Sequence, residues 1–366
     1  MAKMERSSQG QLIWRRFLRH RIGAIGGITV LILTFLTLFS GFLGPYSYTT
    51  SFKRYPLAPP TKIHLFDGGS PRGPFVHPLV RTRDPVTNRE SYQEDKSISC
   101  PIRLFVHGDS YRFWGLWTTD IHLFGVEEPC RLFIFGSDKA GRDIFSRTLF
   151  GGIIDLSIGP LSLVASFILG ILIGGISGYY GGGLDILIQR TIEVFQSFPT
   201  LPIWLALAAA LPRSWSSTMT FYGLVMIFSL LGWPGLARVV RGQFLSLREM
   251  DFAVAAKAIG ASDLRIIMRH LMPNITSYLI VGATLSIPGA ILFEATISFL
   301  GLGIKEPMTS WGLLLQQANS ISKFRDSPWL LIPGIFIVVA VLAFNFLGDA
   351  LRDAVDPYAV KGMRRG

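Results

Sequence analysis

The chain alternates long apolar runs with polar segments rich in Arg, Pro and Gly. Six runs carry no charge: Ile22–Leu43, Leu156–Tyr179, Val194–Leu211, Met219–Ala237, Ile275–Phe293 (extending past Glu294 to Leu302) and Trp329–Gly348. Each approaches or exceeds the ~20 residues that carry a helix across a hydrocarbon layer of ~30 Å. Inside lipid a separate run must pair its own backbone groups, so each run predicts a helix. The alternation of a membrane barrel strand is absent. The first run is longer than a signal-peptide core and is expected to remain as a span. The pattern predicts an all-α polytopic membrane protein with six transmembrane helices.

Basic residues set the expected orientation. Lys3, Arg6, Arg15, Arg16, Arg19 and Arg21 precede the first run. Arg238, Arg241, Arg248, Lys257, Arg265 and Arg269 lie between the fourth and fifth, and Arg352, Lys361, Arg364 and Arg365 follow the last. Six spans put all three groups on one side, and the excess of Lys and Arg makes that side cytoplasmic. Residues 10–21 (GQLIWRRFLRHR) read either as an interfacial helix, with Trp14 and Phe17 three apart, or as a plain stop-transfer flank.

The segment from Pro45 to about Thr148 differs in kind, being rich in Pro, Gly and charge. Its runs RLFVHG (Arg103–Gly108) and RLFIFG (Arg131–Gly136) predict a small, irregular, partly β external insertion. The expected division is an N-terminal tail and first span over 1–45, an external insertion over 46–150, a helical membrane core over 151–350 with a cytoplasmic loop at 241–274, and a tail over 351–366. Both cysteines, Cys100 and Cys130, fall in the insertion, which suggests a disulfide in an oxidising compartment, the alternative being two unpaired thiols. His107 and His122 stand at no metal-ligand spacing.

Composition narrows the function classes. Only 16% of the 366 residues are charged and 49% are hydrophobic, with a net charge of +11. The basic residues flank spans, so the charge serves orientation, and no nucleic-acid-reading motif accompanies it. Gly136–Asp143 (GSDKAGRD) resembles a phosphate loop only in outline. Arg142 and Asp143 stand where such a loop needs Lys and a hydroxyl, and Asp143 would repel phosphate. No Ser/His/Asp arrangement or carboxylate pair is discernible, so no catalytic residue is expected in this chain.

Within the spans the informative residues are few. Glu294 interrupts the fifth, six positions after Pro288, and either lines a translocation path or makes a structural pairing. Pro199 and Pro202 are expected to bend the third, where Gln196 and Ser197 could face a cavity; Asn345 suits an interhelical hydrogen bond.

The loop at 241–274 has its own logic. Met250–Ile259 predicts a short helix that Gly260 ends with a positive φ. Ser262 is placed to cap a second helix with Asp263 in its first turn, and Pro273 to close that helix. The result is a rigid helix–turn–helix elbow suited to a groove in a soluble partner.

Three stretches carry a family resemblance: FGSDKAGRDIFSRTLFGG (Phe135–Gly152), RGQFLSLREMDFAVAAKAIGASDLRIIMRHLMPN (Arg241–Asn274), and SFLGLGIKEPMTSWG (Ser298–Gly312) with LAFNFLGDALRDAVDP (Leu342–Pro357). They resemble the permease subunits of oligopeptide, dipeptide and nickel ABC importers, over about 135–357 plus the first span. The resemblance implies a type I ABC importer permease core. It implies a homologous second permease, two ATP-binding subunits that hold ATP and Mg, and an external solute-binding protein, with no cofactor in this chain. It implies residence in the cell inner membrane, in contact with lipid. It makes the elbow an EAA-type coupling loop, matched at Ala255, Ala256, Gly260 and Pro273, with Arg265 and Arg269 expected to tune the contact. The family's leading Glu is Val254 here. The insertion is longer than a plain dipeptide-type member needs, and nickel complexes, glutathione and short sugars stand beside peptides as substrates. An ion-coupled secondary transporter would hold ions at several acidic or broken-helix positions, whereas Glu294 is almost alone. A membrane-embedded enzyme would need clustered His, Asp or Glu.

Overall fold

A computed structural model describes residues 15–67, 70–83, 85, 90–320 and 325–355. Lys3, Arg6, Trp14, Lys361, Arg364 and Arg365 lie outside them. Residues 15–19 are helical, and Phe17 packs on Ala350 and Ala354 of the last helix.

The first span is α1 (Arg21–Leu38), followed by a short α2 (Ser40–Leu43). Next come, among the described residues, seven strands in three small antiparallel sheets: β1 (His64–Asp67), β2 (Ser70–Val76) and β5 (Cys100–Pro101); β3 (Leu79–Arg83) and β4 (Glu90–Glu94); and the hairpin β6 (Arg103–Phe113) and β7 (Trp117–Gly125). Arg131–Gly136 is not a strand, contrary to expectation. Its backbone is held by side chains instead: Leu132 N donates to Tyr46 Oη at 2.9 Å and Phe133 N to Thr61 Oγ1 at 3.0 Å, and both side chains are buried. Cys130 and Cys100 join in a disulfide that closes the β2–β5 edge over Val76 and Leu132.

The helical core is α3 (Ile144–Tyr180), α4 (Gly182–Ser197), α5 (Thr200–Ala210), α6 (Ser217–Leu247), α7 (Asp251–Ala258), α8 (Asp263–Ile266), α9 (Met272–Phe299), α10 (Trp311–Gln316) and α11 (Ile332–Val355). Among the described residues five helical stretches are long and apolar enough to cross a membrane, and the bent pair α4–α5 makes up to six. The second span starts at Ile144, inside the segment assigned to the insertion, because Asp143 caps it by accepting from Ser146 N at 2.7 Å.

The third run is bent, as its prolines predict. α4 and α5 meet at 84°. Pro199 forces Phe198 into extended backbone (φ −86°, ψ 138°), while Pro202 sits in the first turn of α5, where no N–H is missed.

α3 and α6 pack closely through a glycine stripe. A Cβ at Gly174 would lie 2.8 Å from Ala237 Cα, and one at Gly178 2.6 Å from Arg241 O. In lipid, where apolar burial gains little, such close backbone approach supplies the packing. Outward-facing apolar residues such as Leu31, Phe35, Leu172 and Val338 remain exposed, as a lipid-facing surface requires.

Candidate functional site

The elbow at 250–272 closes one end of the bundle. Its turn follows from local backbone geometry. Gly260 adopts φ 84°, Gly260 N donates to Lys257 O and Ala261 N to Ala256 O, both at 3.0 Å. This pair of bonds is a Schellman closure, and a residue with a Cβ is strained at its left-handed position. The inner face is packed: Ala253, Ala256, Ile266 and Leu271 are buried against Val240, Phe244 and Ile275. The outer face presents Val254, Ile259, Leu264 and Met268, with Ile259 86% exposed.

Two expectations about this element are corrected. Ser262 occupies the N-cap position of α8 but makes no side-chain cap bond; Asp263 instead accepts from Tyr179 Oη at 2.7 Å. Pro273 does not end the helix. A π-helical turn (Ile267–Leu271) widens the backbone just ahead of it and relieves the clash a proline ring makes with the carbonyl four residues back. α8, this turn and α9 therefore run as one continuous piece over Asp263–Phe299. Arg265, Arg269 and Pro273 are exposed on it; in α7, Ala255 is exposed and Ala256 buried.

The elbow is tied to the rest of the bundle by charge. Arg248 Nη1 donates to Gly178 O and Tyr179 O, each at 3.0 Å, capping the carbonyl end of α3. Arg241 Nε and Nη2 grip both oxygens of Asp185 at 2.5 and 2.6 Å, joining α6 to the start of α4.

The opposite end of α3 carries an ion network that the sequence reading did not assemble. Asp138 Oδ1 accepts from Ala140 N and Arg142 N at 2.8 and 2.9 Å. Its Oδ2 accepts from Arg142 Nε at 2.8 Å, Arg147 Nη1 at 2.5 Å and Gln317 Nε2 at 3.3 Å. Arg142 forks onto both oxygens of Glu306, and Arg147 reaches Glu306 and Thr309 at 3.4 Å. Asp138 and Arg147 are each 1% exposed and Glu306 is 46% exposed. The Arg142 hydrogen bond holds the Glu306 carboxyl below the usual range, whereas burial pushes Asp143, the neighbouring cap, up to about 7. The phosphate-loop outline is thereby explained: Asp138, Arg142 and Asp143 turn inward onto the local backbone and onto the 306–317 segment, while Lys139 is exposed.

The four residues expected on a path are split between two places. Gln196 and Pro199 are exposed at the α4–α5 bend. Pro288 and Glu294 are buried in α9, which continues through Pro288 unbroken. Glu294 is fully enclosed, accepts from Ser298 Oγ at 2.5 Å, and faces Asp155 of α3. Asp155 in turn accepts from Trp311 N at 2.9 Å, so this pair ties α3, α9 and α10 together rather than lining open space. Asp155 was missed because it borders the apolar run rather than interrupting it. Among the described residues no group of three His, Cys, Asp or Glu side chains could hold a metal ion.

A multi-pass helical bundle with a rigid elbow at one end and a closed ion network at the other defines a membrane permease subunit. The chain belongs to the family described as binding-protein-dependent transport system inner membrane component, whose model matches residues 170–360. The N-terminal transmembrane domain of oligopeptide transport permease C matches residues 8–60. The oligopeptide transport system permease protein OppC of Haemophilus influenzae is 43% identical over 227 residues, 61% of this chain and 70% of that protein. A putative peptide permease of Brucella ovis is 42% identical over 226 residues, 62% of this chain and 73% of its own length. The dipeptide transport system permease protein DppC of Bacillus subtilis is 37% identical over 225 residues, 61% and 68% of the two chains. A solved structure described as inward-facing conformations of the MetNI methionine ABC transporter aligns at TM-score 0.43 and 19% identity, covering 57% of this chain and 96% of that one. The chain is thus a transmembrane subunit of an ATP-driven importer, resident in the inner membrane, and neither an ion-coupled carrier nor an enzyme.

Proposed function

We propose that this chain forms one half of a peptide-conducting path, paired with a homologous permease and served by two ATP-binding subunits and an external solute-binding protein. ATP and Mg are then held wholly by the ATP-binding subunits. Both termini and the elbow face the cytoplasm, and the β-rich insertion faces outward, in line with the basic flanks. The peptide assignment rests on the relatives' names.

The observation that carries the coupling role is the Gly260 elbow. It combines a locked turn, a buried inner face and an outward row of Val254, Ile259, Leu264 and Met268. An apolar ridge on a rigid bend suits the groove of a soluble partner, and Arg265 and Arg269 add a salt-sensitive contact. Motion of the partner is transmitted through α8–α9 as one piece and, by Tyr179 and Arg248, into α3.

Gly260→Val tests this. A Cβ there meets nothing within 4 Å, so the substitution acts through the backbone, at about 1–2 kcal/mol. The variant is expected to insert normally yet to lose capture of the ATP-binding subunits in a pull-down and to lose uptake. Full association together with full uptake would refute the coupling role.

A further inference from the structure

The hairpin β6–β7 ends in the sequence Phe113-Trp114-Gly115-Leu116-Trp117. Phe113 pairs with Trp117 across the strands, and Leu116 N donates to Phe113 O at 3.0 Å to close the turn. The apex is built in an unusual way. Trp114 has φ 50° and Gly115 φ 76°, so two successive residues occupy the left-handed region that such turns give to Asn, Asp or Gly. A tryptophan is a strained choice there, and its large ring is displayed rather than buried. Trp114 and Trp117 are each 54% exposed and Leu116 is 73% exposed. From Tyr111 to Thr119 there is no acidic residue and one basic residue, the exposed Arg112.

The depth of this apex is set by contacts with the first span. Trp114 Nε1 donates to the carbonyl of Leu38, the last residue of α1, at 3.0 Å. Phe39 meets the rings of Phe113 and Trp114 edge-on, each at 5.5 Å between centroids. Tyr111 covers Gly41 so closely that a Cβ there would overlap its ring. Leu38 is the last residue of the candidate span α1, and it and Phe35 are each more than half exposed. The apex therefore extends the lipid-facing surface of α1 sideways at the level of the headgroups. Trp and Tyr favour that layer because one edge of the ring is apolar and the other polar, and Arg112 matches lipid phosphate.

We propose that the hairpin apex, Trp114, Leu116 and Trp117, is a membrane anchor whose partner is phospholipid. It sits at the boundary of headgroups and acyl chains in the leaflet on the insertion side. The anchor fixes how the β-rich insertion stands over the bundle. A solute-binding protein or a second permease covering the same residues is the competing occupant, and the test separates them.

The full chain, in complex with its partner subunits, is reconstituted in vesicles of phosphatidylcholine and phosphatidylglycerol with a spin label at Leu116→Cys. Collisions with oxygen, which concentrates in lipid, are compared with collisions with a water-soluble nickel chelate. A label at Lys96→Cys, on an exposed turn of the insertion, serves as the aqueous control. The oxygen-to-nickel collision ratio at residue 116 is expected to exceed that at residue 96 several-fold. A ratio equal to the control would mean that the apex stands in water, and low collision rates with both reagents would mean that protein covers it; either overturns the proposal. A label-free readout accompanies it. In acyl-brominated lipid, replacing Trp114 and Trp117 together by Phe is expected to reduce the bromine-quenched share of tryptophan emission, and an unchanged share would also overturn the anchor.

Discussion

Asp138→Asn tests whether the ion network holds the insertion end of α3 to the 306–317 segment. The substitution keeps the shape and the acceptor for Ala140 N and Arg142 N, but removes the charge that faces Arg142 Nε and Arg147 Nη1. Arg147, 1% exposed, then keeps only the two 3.4 Å contacts to Glu306 and Thr309. Stranding a buried charge in this way costs about 3–5 kcal/mol. Glu306→Gln removes the partner that is 46% exposed, and an exposed pair contributes ~0–1 kcal/mol. Taking ~2–4 °C per kcal/mol for a large folded unit, Asp138→Asn should lower the melting temperature by roughly 6–20 °C and Glu306→Gln by roughly 0–4 °C. Tryptophan emission during heating of the detergent-solubilised chain suits the measurement, because Trp329 Nε1 donates to Ser137 O at 3.2 Å and reports on the adjacent residue. Arg147→Met added to Asp138→Asn should cost less than the two single changes together, since it removes the stranded charge. Equal losses for Asp138→Asn and Glu306→Gln, or strict additivity in the double variant, would refute the reasoning.

Three further outcomes are expected. Burial pushes Asp143 up to about 7, so the folded chain binds its proton more tightly than the unfolded chain, and stability falls as pH rises from about 4 through about 7; Asp143→Asn, which keeps the cap acceptor for Ser146 N, should flatten the melting profile between pH 5 and 8 relative to the unaltered chain, and parallel profiles would count against it. Cys100→Ser with Cys130→Ser opens a loop of sequence separation 30 and should cost about 3–4 kcal/mol by loop entropy; mass mapping without reductant reads the bond directly, and two alkylatable thiols in native membranes would exclude it. Glu294→Gln puts an amide donor opposite Asp155, whose Oδ1 lacks a donor among the described residues, so the tie between α3, α9 and α10 should be retained; a melting temperature well below that of the unaltered chain would show that the carboxyl itself is needed.

The spans and the elbow were legible in the sequence because short stretches encode them. A charge-free run of adequate length is sufficient for a membrane helix. The Schellman closure needs only the residues from Ala256 to Ala261, and Gly260 announces it. Pro199 signalled the bend between α4 and α5 for the same reason, since a proline acts on its immediate neighbour. Pro273 carried an equally local signal and misled, because one widened turn upstream is enough to accommodate it, and nothing in IIMRHL distinguishes a π turn from an ordinary one. Arg131–Gly136 misled in the opposite way. Its residues favour a strand, but a strand exists only where a partner edge is available, and here Tyr46 and Thr61 side chains take the backbone bonds.

What stayed hidden is what depends on distant pairing. Arg142 meets Glu306 across 164 positions and Arg147 meets Thr309 across 162, so neither charge, read in place, names its partner. Read locally, Asp138, Arg142 and Arg147 are three charges near a span, and solvation is the economical interpretation. Their burial becomes intelligible only when the 306–317 segment folds back over the start of α3 and excludes water from all of them at once. The same holds for Asp155 and Glu294, which become a pair because α3 and α9 lie side by side. One long-range contact did leave a mark that could have been used. Gly170, Gly174 and Gly178 recur every four residues on one face of the second span, the spacing that lets two helix backbones touch in lipid, and α6 is the helix they meet. Such a stripe says that a close partner exists without saying which, so it would have predicted the interface on α3 but left α6 to be found by the fold.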